Sequence, residues 1–67
     1  MKKKSIGEKI KELRKSQDLT QLQLGMLSGV HAISIFRIEN GKVKPNEPTL
    51  RCLASALGTT LEKLKGE

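Results

Sequence analysis

Residues 20–42 read TQLQLGMLSGVHAISIFRIENGK, and this stretch decides the fold. Thr20 is followed three residues later by Gln23, which is the pattern of a capping box at a helix N-terminus. Gly29 can take the left-handed conformation that ends helices. The stretch therefore opens with a short helix that stops before Gly29. The apolar stripe of this helix is predicted to be Leu24 and Leu27.

A second short helix follows, from about Ala32 to the glycine signal at Asn40-Gly41. Its inward stripe is predicted to be Ile35 and Ile38, with Val30 filling the turn between the helices. The alternation of residues 33–38 also fits a β-strand. Capped helical segments on both sides would leave such a strand without a partner, so we expect a helix.

The N-terminal segment carries a second capping box, formed by Ser5 and Glu8. Apolar residues recur behind it at i, i+4 and i+7, which is one face of a helix. We predict this helix over residues 6–16. Its apolar face consists of Ile6, Ile10 and Leu13.

Two more helices are predicted after the central stretch. Asn46 and Thr60 are N-cap residues, Pro48 falls in a first turn where its missing N–H costs nothing, and Gly58 is a stop signal. The apolar faces are Leu50, Leu53, Ala54 and Leu57 in the fourth helix, and Leu61 and Leu64 in the fifth. The sequence thus predicts an all-α, compact five-helix domain over residues 6–65, preceded by a basic arm of residues 1–5.

Gly25 lies inside the first of the two central helices, where glycine costs about 1 kcal/mol relative to alanine. Close approach of another helix backbone would explain it, although it also fits a helix that is merely weak. Two short helices that meet at Gly29 have the geometry of a helix-turn-helix.

Composition narrows the classes of function. A chain of 67 residues has room for one core, and its single cysteine, Cys52, excludes an internal disulfide and a cysteine-based zinc site. With one histidine, no nucleophile–base pair and no phosphate-binding glycine loop, we expect no enzyme, metal or cofactor. No apolar run is long enough to cross a bilayer, and Lys2–Lys4 are not followed by the apolar segment of a signal peptide. We therefore expect a soluble cytoplasmic protein.

The net charge is +6, and seven of the thirteen Lys and Arg residues fall within residues 1–15. A basic cluster favours nucleic acid or an anionic membrane, or it simply keeps the surface soluble. A membrane-surface helix over residues 1–16 is disfavoured, because its apolar stripe lacks aromatic residues and is needed for the core. Lys2–Lys4 form either a flexible arm on DNA or a disordered end.

Taken together, these residues resemble the phage Cro/repressor type of helix-turn-helix, also called the XRE family, from about Ile6 to Leu64. The residues that carry the resemblance are Leu13-Arg14, Gln21-Leu22-Gln23-Leu24-Gly25, Ser28-Gly29-Val30, Ile35, Arg37-Ile38-Glu39-Asn40-Gly41-Lys42 and Leu53-Ala54-Ser55-Ala56-Leu57-Gly58.

The resemblance implies a protein that binds double-stranded DNA as a homodimer, with residues 32–40 as its recognition helix. It places four side chains at base edges or the adjacent backbone: Ala32, Ile33, Phe36 and Arg37. It places further residues near the DNA backbone: Gln21, Gln23, His31, Ser34, Lys42 and Lys44. It also implies a structural ion pair between Arg14 and Glu39.

The recognition positions depart from the family pattern, because Ala32, Ile33 and Phe36 cannot hydrogen-bond a base edge. Ile33 or Phe36 can still contact a thymine methyl, which leaves Arg37 for guanine or a phosphate. Alternatively Phe36 folds partly onto the core, or both residues join Leu22 and Met26 in an apolar patch for a protein partner.

For function, we expect a transcriptional regulator, most simply a repressor, on an inverted-repeat operator. The expected dimer contact, which must be self-complementary, is Leu57, Thr59, Thr60, Leu61 and Leu64. The alternative is a protein-interaction module on the same fold, such as an antitoxin or co-regulator. A stand-alone Cro-like regulator is expected, although an excised N-terminal repressor domain would have the same sequence.

Four remaining residues have less specific expectations. His31 either bonds a phosphate or is an exposed turn residue. Cys52 is expected to be an ordinary half-exposed thiol, and Glu47 and Arg51 are expected to be solvated.

Overall fold

The computed structural model describes residues 4–66, which form five helices and no strand. The helices are α1 (Ile6–Ser16), α2 (Gln21–Ser28), α3 (Ala32–Glu39), α4 (Glu47–Leu57) and α5 (Leu61–Lys65). The all-α, five-helix prediction is therefore confirmed. Met1–Lys3, which contain most of the predicted basic arm, lie outside the described residues.

Local side-chain capping explains where α1, α2, α4 and α5 begin. The Ser5 hydroxyl accepts from the Glu8 N–H at 3.1 Å, and the Glu8 carboxylate accepts from the Ser5 N–H at 2.8 Å. Thr20 and Gln23 make the same reciprocal pair at 3.0 and 2.8 Å. Each pair satisfies backbone donors that the helix itself leaves free. The same role is played by single caps at Asn46 in α4 and Thr60 in α5.

One core unites the five helices, and its members come from every helix. It consists of Ile10, Leu24, Ile35, Ile38, Leu50, Leu53, Ala54, Leu57 and Leu64. Val30, in the turn between α2 and α3, is half-buried and packs against it as predicted. None of the helices within residues 4–66 has the length and apolar character needed to cross a bilayer.

One sequence prediction about the central helices needs correction. Leu27 is 62% exposed, so only Leu24 of the predicted α2 stripe is buried. Leu24 is enclosed in the core, whereas Leu27 borders an open surface groove that it shares with Arg51 and Cys52 of α4. Helix α3 ends at Glu39, and Asn40 is its C-cap.

Close backbone packing explains Gly25. A Cβ at this position would lie 2.7 Å from the carbonyl oxygen of Val30 and 3.4 Å from the nitrogen of Ala32. Glycine therefore lets the start of α3 approach α2 more closely than any other residue would, which is the close approach that the sequence suggested.

Asp18, just after α1, adopts a left-handed conformation with φ of 57°. Replacing Asp18 with glycine is expected to raise the free energy of unfolding by about 0.5–1 kcal/mol, since glycine has no Cβ to strain there. The change also removes a negative charge from a helix C-terminus, where it is unfavourable. Thermal melting followed by circular dichroism should show a midpoint higher by about 2–8 °C.

The matched control is Gly29, whose φ is 78° and whose added Cβ would meet no atom within 4 Å. Gly29→Ala should therefore lower the melting midpoint through backbone strain alone. An unchanged or lower midpoint for Asp18→Gly would contradict the strain that we assign to Asp18.

Candidate nucleic-acid interface

The turn between α2 and α3 is fixed by backbone and side-chain hydrogen bonds. The N–H of Gly29, with φ of 78°, donates to the carbonyl of Gly25 at 2.8 Å. The Ser28 hydroxyl accepts from the N–H of Val30 at 3.2 Å. These contacts set α3 across α2, with Ile35 and Ile38 facing the core and the opposite face of α3 in solvent.

The solvent face of α3 carries the side chains predicted to read bases. Ile33 is 56% exposed, Phe36 is 46% exposed and Arg37 is exposed. Ala32 and Ser34 are half-buried. Phe36 therefore has surface available for a ligand, although roughly half of its side chain is packed against the protein.

A basic loop follows α3 and folds back onto it. The N–H of Lys42 donates to the carbonyl of Arg37 at 2.8 Å, and Gly41 takes a φ of 72° to make this turn. Lys42 and Lys44 are both exposed. The backbone of Lys42 thus lies at the C-terminal end of α3, and both lysines follow this end in the chain.

The first turns of the two central helices carry three of the side chains predicted near the DNA backbone. Gln21 and Gln23 lie in the first turn of α2; Gln21 is half-buried, and Gln23 is exposed with its amide oxygen on the N–H of Thr20. His31 is the N-cap of α3, is exposed and makes no side-chain cap hydrogen bond. The unsatisfied N–H groups of such first turns suit an anion.

Negative charge is nearly absent from this surface. Residues 19–46 contain a single acidic residue, Glu39, against Arg37, Lys42 and Lys44. The Glu39 side chain is only 2% exposed and pairs with Arg14. The solvent-facing surface of this segment is therefore cationic and has no exposed carboxylate.

The Arg14–Glu39 ion pair joins α1 to α3. Arg14 Nε donates to Glu39 Oε2 at 2.7 Å and Arg14 Nη2 donates to Oε1 at 3.0 Å, while Nη1 reaches the carbonyl of Leu19 at 2.8 Å. The hydrogen bond to Glu39 raises the pKa of Arg14. Burial of the guanidinium opposes this rise, and the negative charge of Glu39 adds to it. A bidentate pair of this kind fixes orientation as well as distance.

Two contacts around this pair were not foreseen from the sequence. Gln21 Nε2 donates to Glu39 Oε1 at 3.0 Å, so the glutamine expected at a phosphate is also bonded to α3. A Cβ on Gly7 would collide with the carbonyl oxygen of Ile38, because α1 crosses α3 in backbone contact there. A glycine in the first turn of a helix was the only sequence signal for this crossing.

The predicted dimer residues divide into two groups. Leu57 and Leu64 are 4% and 1% exposed, so they fill the protomer core and have no surface to offer a second copy. Thr59 and Leu61 are half-buried and Thr60 is exposed. The predicted contact is therefore reduced to these three residues.

Other site types find little support in the described part of the chain. No group of three or more His, Cys, Asp or Glu side chains within residues 4–66 could hold a metal ion. Cys52 is exposed, rather than half-exposed, on α4. Glu47 is exposed as expected and pairs with Arg51 at 3.2 Å and Lys65 at 3.4 Å.

Comparison with known families identifies this arrangement. A profile of the helix-turn-helix family HTH_3 matches residues 10–64. The chain belongs to this helix-turn-helix family. The resemblance to XRE-type regulators that the sequence suggested is thereby confirmed.

Relatives of this helix-turn-helix chain include named regulators. The transcriptional repressor RghR of Bacillus subtilis is 46% identical over 61 residues, and the immunity repressor of Bacillus phage phi105 is 33% identical over 63 residues. Antitoxin PezA of Streptococcus pneumoniae is 32% identical over 62 residues. These alignments cover 90%, 94% and 92% of this chain but only 45%, 44% and 39% of the relatives, so the chain spans less than half of their length.

Among solved structures, the P22 c2 repressor in complex with a synthetic operator has the same fold. Its TM-score is 0.89 at 32% sequence identity, and the match covers 97% of this helix-turn-helix chain and all of that chain. The architecture is thus that of a phage-repressor DNA-binding domain.

Proposed function

We propose that this chain is a sequence-specific, double-stranded DNA-binding transcriptional repressor that acts in the cytoplasm. The observation that carries the proposal is the cationic face around α3. Within residues 19–46, the single acidic residue, Glu39, is buried and paired with Arg14, whereas Arg37, Lys42 and Lys44 are exposed and form this face. Kinship with RghR and a phage immunity repressor supports the regulatory role.

In this mechanism, α3 enters the major groove and the flanking groups hold the DNA backbone. Lys42 and Lys44 neutralise phosphates after α3, and the first turns of α2 and α3 supply N–H donors, with Gln21, Gln23, Ser34 and His31 beside them. The Arg14–Glu39 pair keeps α3 at its docking angle.

Base readout would combine apolar contact with a single strong polar contact. Ile33 and Phe36 are exposed enough to meet thymine methyl groups, with Ala32 beside them, and Arg37 has the donors for guanine O6 and N7. Replacing operator thymines by uracil should weaken binding at the positions under Ile33 or Phe36. Equal affinity for the uracil duplex would leave these residues without a role in readout.

A homodimer would place two recognition helices about 34 Å apart, one turn of DNA, so that the operator is an inverted repeat. Thr59, Thr60 and Leu61 lie near the C-terminal end of the described chain and remain available for a two-fold contact. Sedimentation with and without a two-half-site duplex measures the stoichiometry, and a 1:1 complex would contradict the dimer.

The experiment that tests the function is selection of binding sequences from a random duplex pool at two salt concentrations. A sequence-specific regulator should recover an inverted repeat, and its affinity should fall steeply with salt because bound cations are released from DNA. A pool that yields no motif would contradict the proposal.

That negative result would favour a protein-interaction module on the same fold. Leu22, Met26 and Leu27 are 65%, 78% and 62% exposed along α2, and Ile33 and Phe36 are exposed on α3. One relative is named an antitoxin. In an antitoxin on this fold, such an apolar surface would bind a partner protein. The cationic face around α3 favours DNA as the first partner.

Replacing Lys42 with alanine is expected to weaken binding by a similar factor on every DNA sequence. Losing one phosphate contact should also make the slope of log affinity against log salt shallower by about 1 for each half-site. Fluorescence anisotropy at three or more salt concentrations measures both effects.

The matched control is Lys11→Ala, because Lys11 is an exposed lysine on α1, outside the α2–α3 segment. It should leave the salt slope nearly unchanged. Equal slopes for Lys42→Ala and the unmodified chain would show that Lys42 does not contact a phosphate.

A further inference from the structure

We infer that Gln21 is a positioning residue, whose hydrogen bond to Glu39 couples the phosphate-facing start of α2 to the angle of α3. Base selectivity would then depend on a residue that reads no base. This inference rests on the proposed DNA-binding function.

The first step in the argument is the enclosure of the Glu39 carboxylate. It is 2% exposed and accepts three hydrogen bonds, two from Arg14 of α1 and one from Gln21 of α2. No buried side-chain nitrogen or oxygen atom among residues 4–66 lacks a partner. The carboxylate is therefore the point at which α1 and α2 both fix the end of α3.

The second step is that the Gln21 side chain can bond Glu39 and a phosphate at the same time. Its amide nitrogen carries two N–H groups, and only one of them is needed for Glu39 Oε1 at 3.0 Å. Gln21 is the first residue of α2, where the backbone N–H groups have no acceptor within the helix. A phosphate bound at this helix end would therefore engage the same side chain that holds Glu39.

The third step is a comparison with a second glutamine, which makes no hydrogen bond to α3. Gln23 lies two residues further along α2 and is exposed. Its amide oxygen accepts from the N–H of Thr20 at 2.8 Å, so this bond stays within the first turn of α2. Gln23 is thus a matched control for a glutamine beside a phosphate without a bond to α3.

The first experiment needs no DNA. Hydrogen exchange of the Arg14 Nε–H is measured by NMR in the full chain and in Gln21→Met and Gln23→Met, below their melting temperatures. Methionine keeps the side-chain length but donates no hydrogen bond. We expect the Arg14 Nε–H to exchange about fivefold faster, relative to the core backbone amides, in Gln21→Met, the equivalent of one net hydrogen bond. In Gln23→Met, which loses the cap on Thr20, this ratio should stay unchanged because both kinds of proton lose protection alike.

The second experiment uses the selected operator and duplexes with single base changes under α3. Gln21→Met should bind the operator about tenfold more weakly, because its side chain can no longer donate a hydrogen bond to a charged phosphate. Its preference for the operator over the changed duplexes should also shrink by at least about threefold. Gln23→Met should weaken all duplexes by one common factor.

The outcomes separate the two proposals. If the full chain selects its operator but Gln21→Met loses affinity equally on all duplexes, only the positioning role is overturned. Unchanged exchange at Arg14 in Gln21→Met overturns it as well. If the full chain shows no sequence preference, the proposed function fails and the positioning role fails with it. Gln21→Asn, which shortens the side chain, should repeat the methionine results.

Discussion

Replacing Arg14 with methionine is expected to destabilise the chain by about 3–5 kcal/mol, because it leaves the Glu39 carboxylate buried without a cation. The Glu39 side chain is 2% exposed and takes two of its three hydrogen bonds from Arg14. A domain of this size has a total stability of about 3–10 kcal/mol. Melting followed by circular dichroism should therefore show a midpoint lower by at least about 15 °C, or a chain unfolded at room temperature.

The control for this prediction removes both charges. Arg14→Met combined with Glu39→Leu eliminates the uncompensated carboxylate and should recover most of the lost stability. If the double variant is as unstable as Arg14→Met, the cost comes from lost packing of the arginine side chain.

The contribution of Arg14 to stability should not change with pH in the neutral range. The hydrogen bond from Arg14 to Glu39 raises the pKa of Arg14 in the folded state. Its stabilising contribution is complete below the pKa of the unfolded arginine, and it is lost only as the pH rises through the higher folded value. The cationic form of Arg14 therefore persists throughout the neutral range.

Replacing Gly7 with alanine is expected to lower the free energy of unfolding by about 2 kcal/mol, as overpacking of a core does. The added Cβ would collide with the carbonyl oxygen of Ile38 and lie 3.1 Å from the Cα of Glu39. Both neighbours are backbone atoms, which cannot rotate aside, so α1 and α3 must separate. Chemical denaturation with an unchanged m-value measures the loss.

The sign of this change distinguishes crowding from local helix preference. Alanine is favoured over glycine in a helix by about 1 kcal/mol, so a site without the close crossing would gain stability. Lys11→Ala, on an exposed position of the same helix, should change stability by less than about 0.5 kcal/mol. A more stable Gly7→Ala variant would contradict the close approach of α1 to α3.

Gly7→Ala should also affect the proposed DNA binding. The crowded atoms belong to the last turn of α3, next to Glu39 and before Lys42. Movement of that turn would shift both α3 and the basic loop that follows it. We therefore expect weaker operator binding from Gly7→Ala even at temperatures where the variant is fully folded.

The candidate site was only partly predictable from the sequence. Position and residue type indicated an exposed Arg37 and a pair of lysines, Lys42 and Lys44, and all three are exposed. The family resemblance implied the Arg14–Glu39 pair but not the bond from Gln21 to Glu39, and no local pattern could supply it, because it joins residues eighteen apart on different helices. Whether their side chains meet depends on the angle between α2 and α3, which no local pattern encodes.

The sequence by itself determined the helices and their limits. The capping boxes at Ser5 and Thr20 join residues only three apart, so each forms as soon as its own turn does. Gly29 and Gly58 end helices through their own left-handed conformations, with φ of 78° and 74°. Because these signals act within one turn, they can be read without knowing the neighbours.

Only the tertiary structure decided which apolar residues are covered. Leu27 looked like core but is 62% exposed, whereas Leu57 and Leu64, predicted both as apolar helix faces and as part of a dimer contact, are 4% and 1% exposed and belong to the core. Helix α2 carries apolar residues on several sides, so its pattern does not define one face. Burial is a property of the helices that pack around a residue, and for that reason the cationic face, the Glu39 network and the Gly7 crossing emerge only when all five helices are assembled.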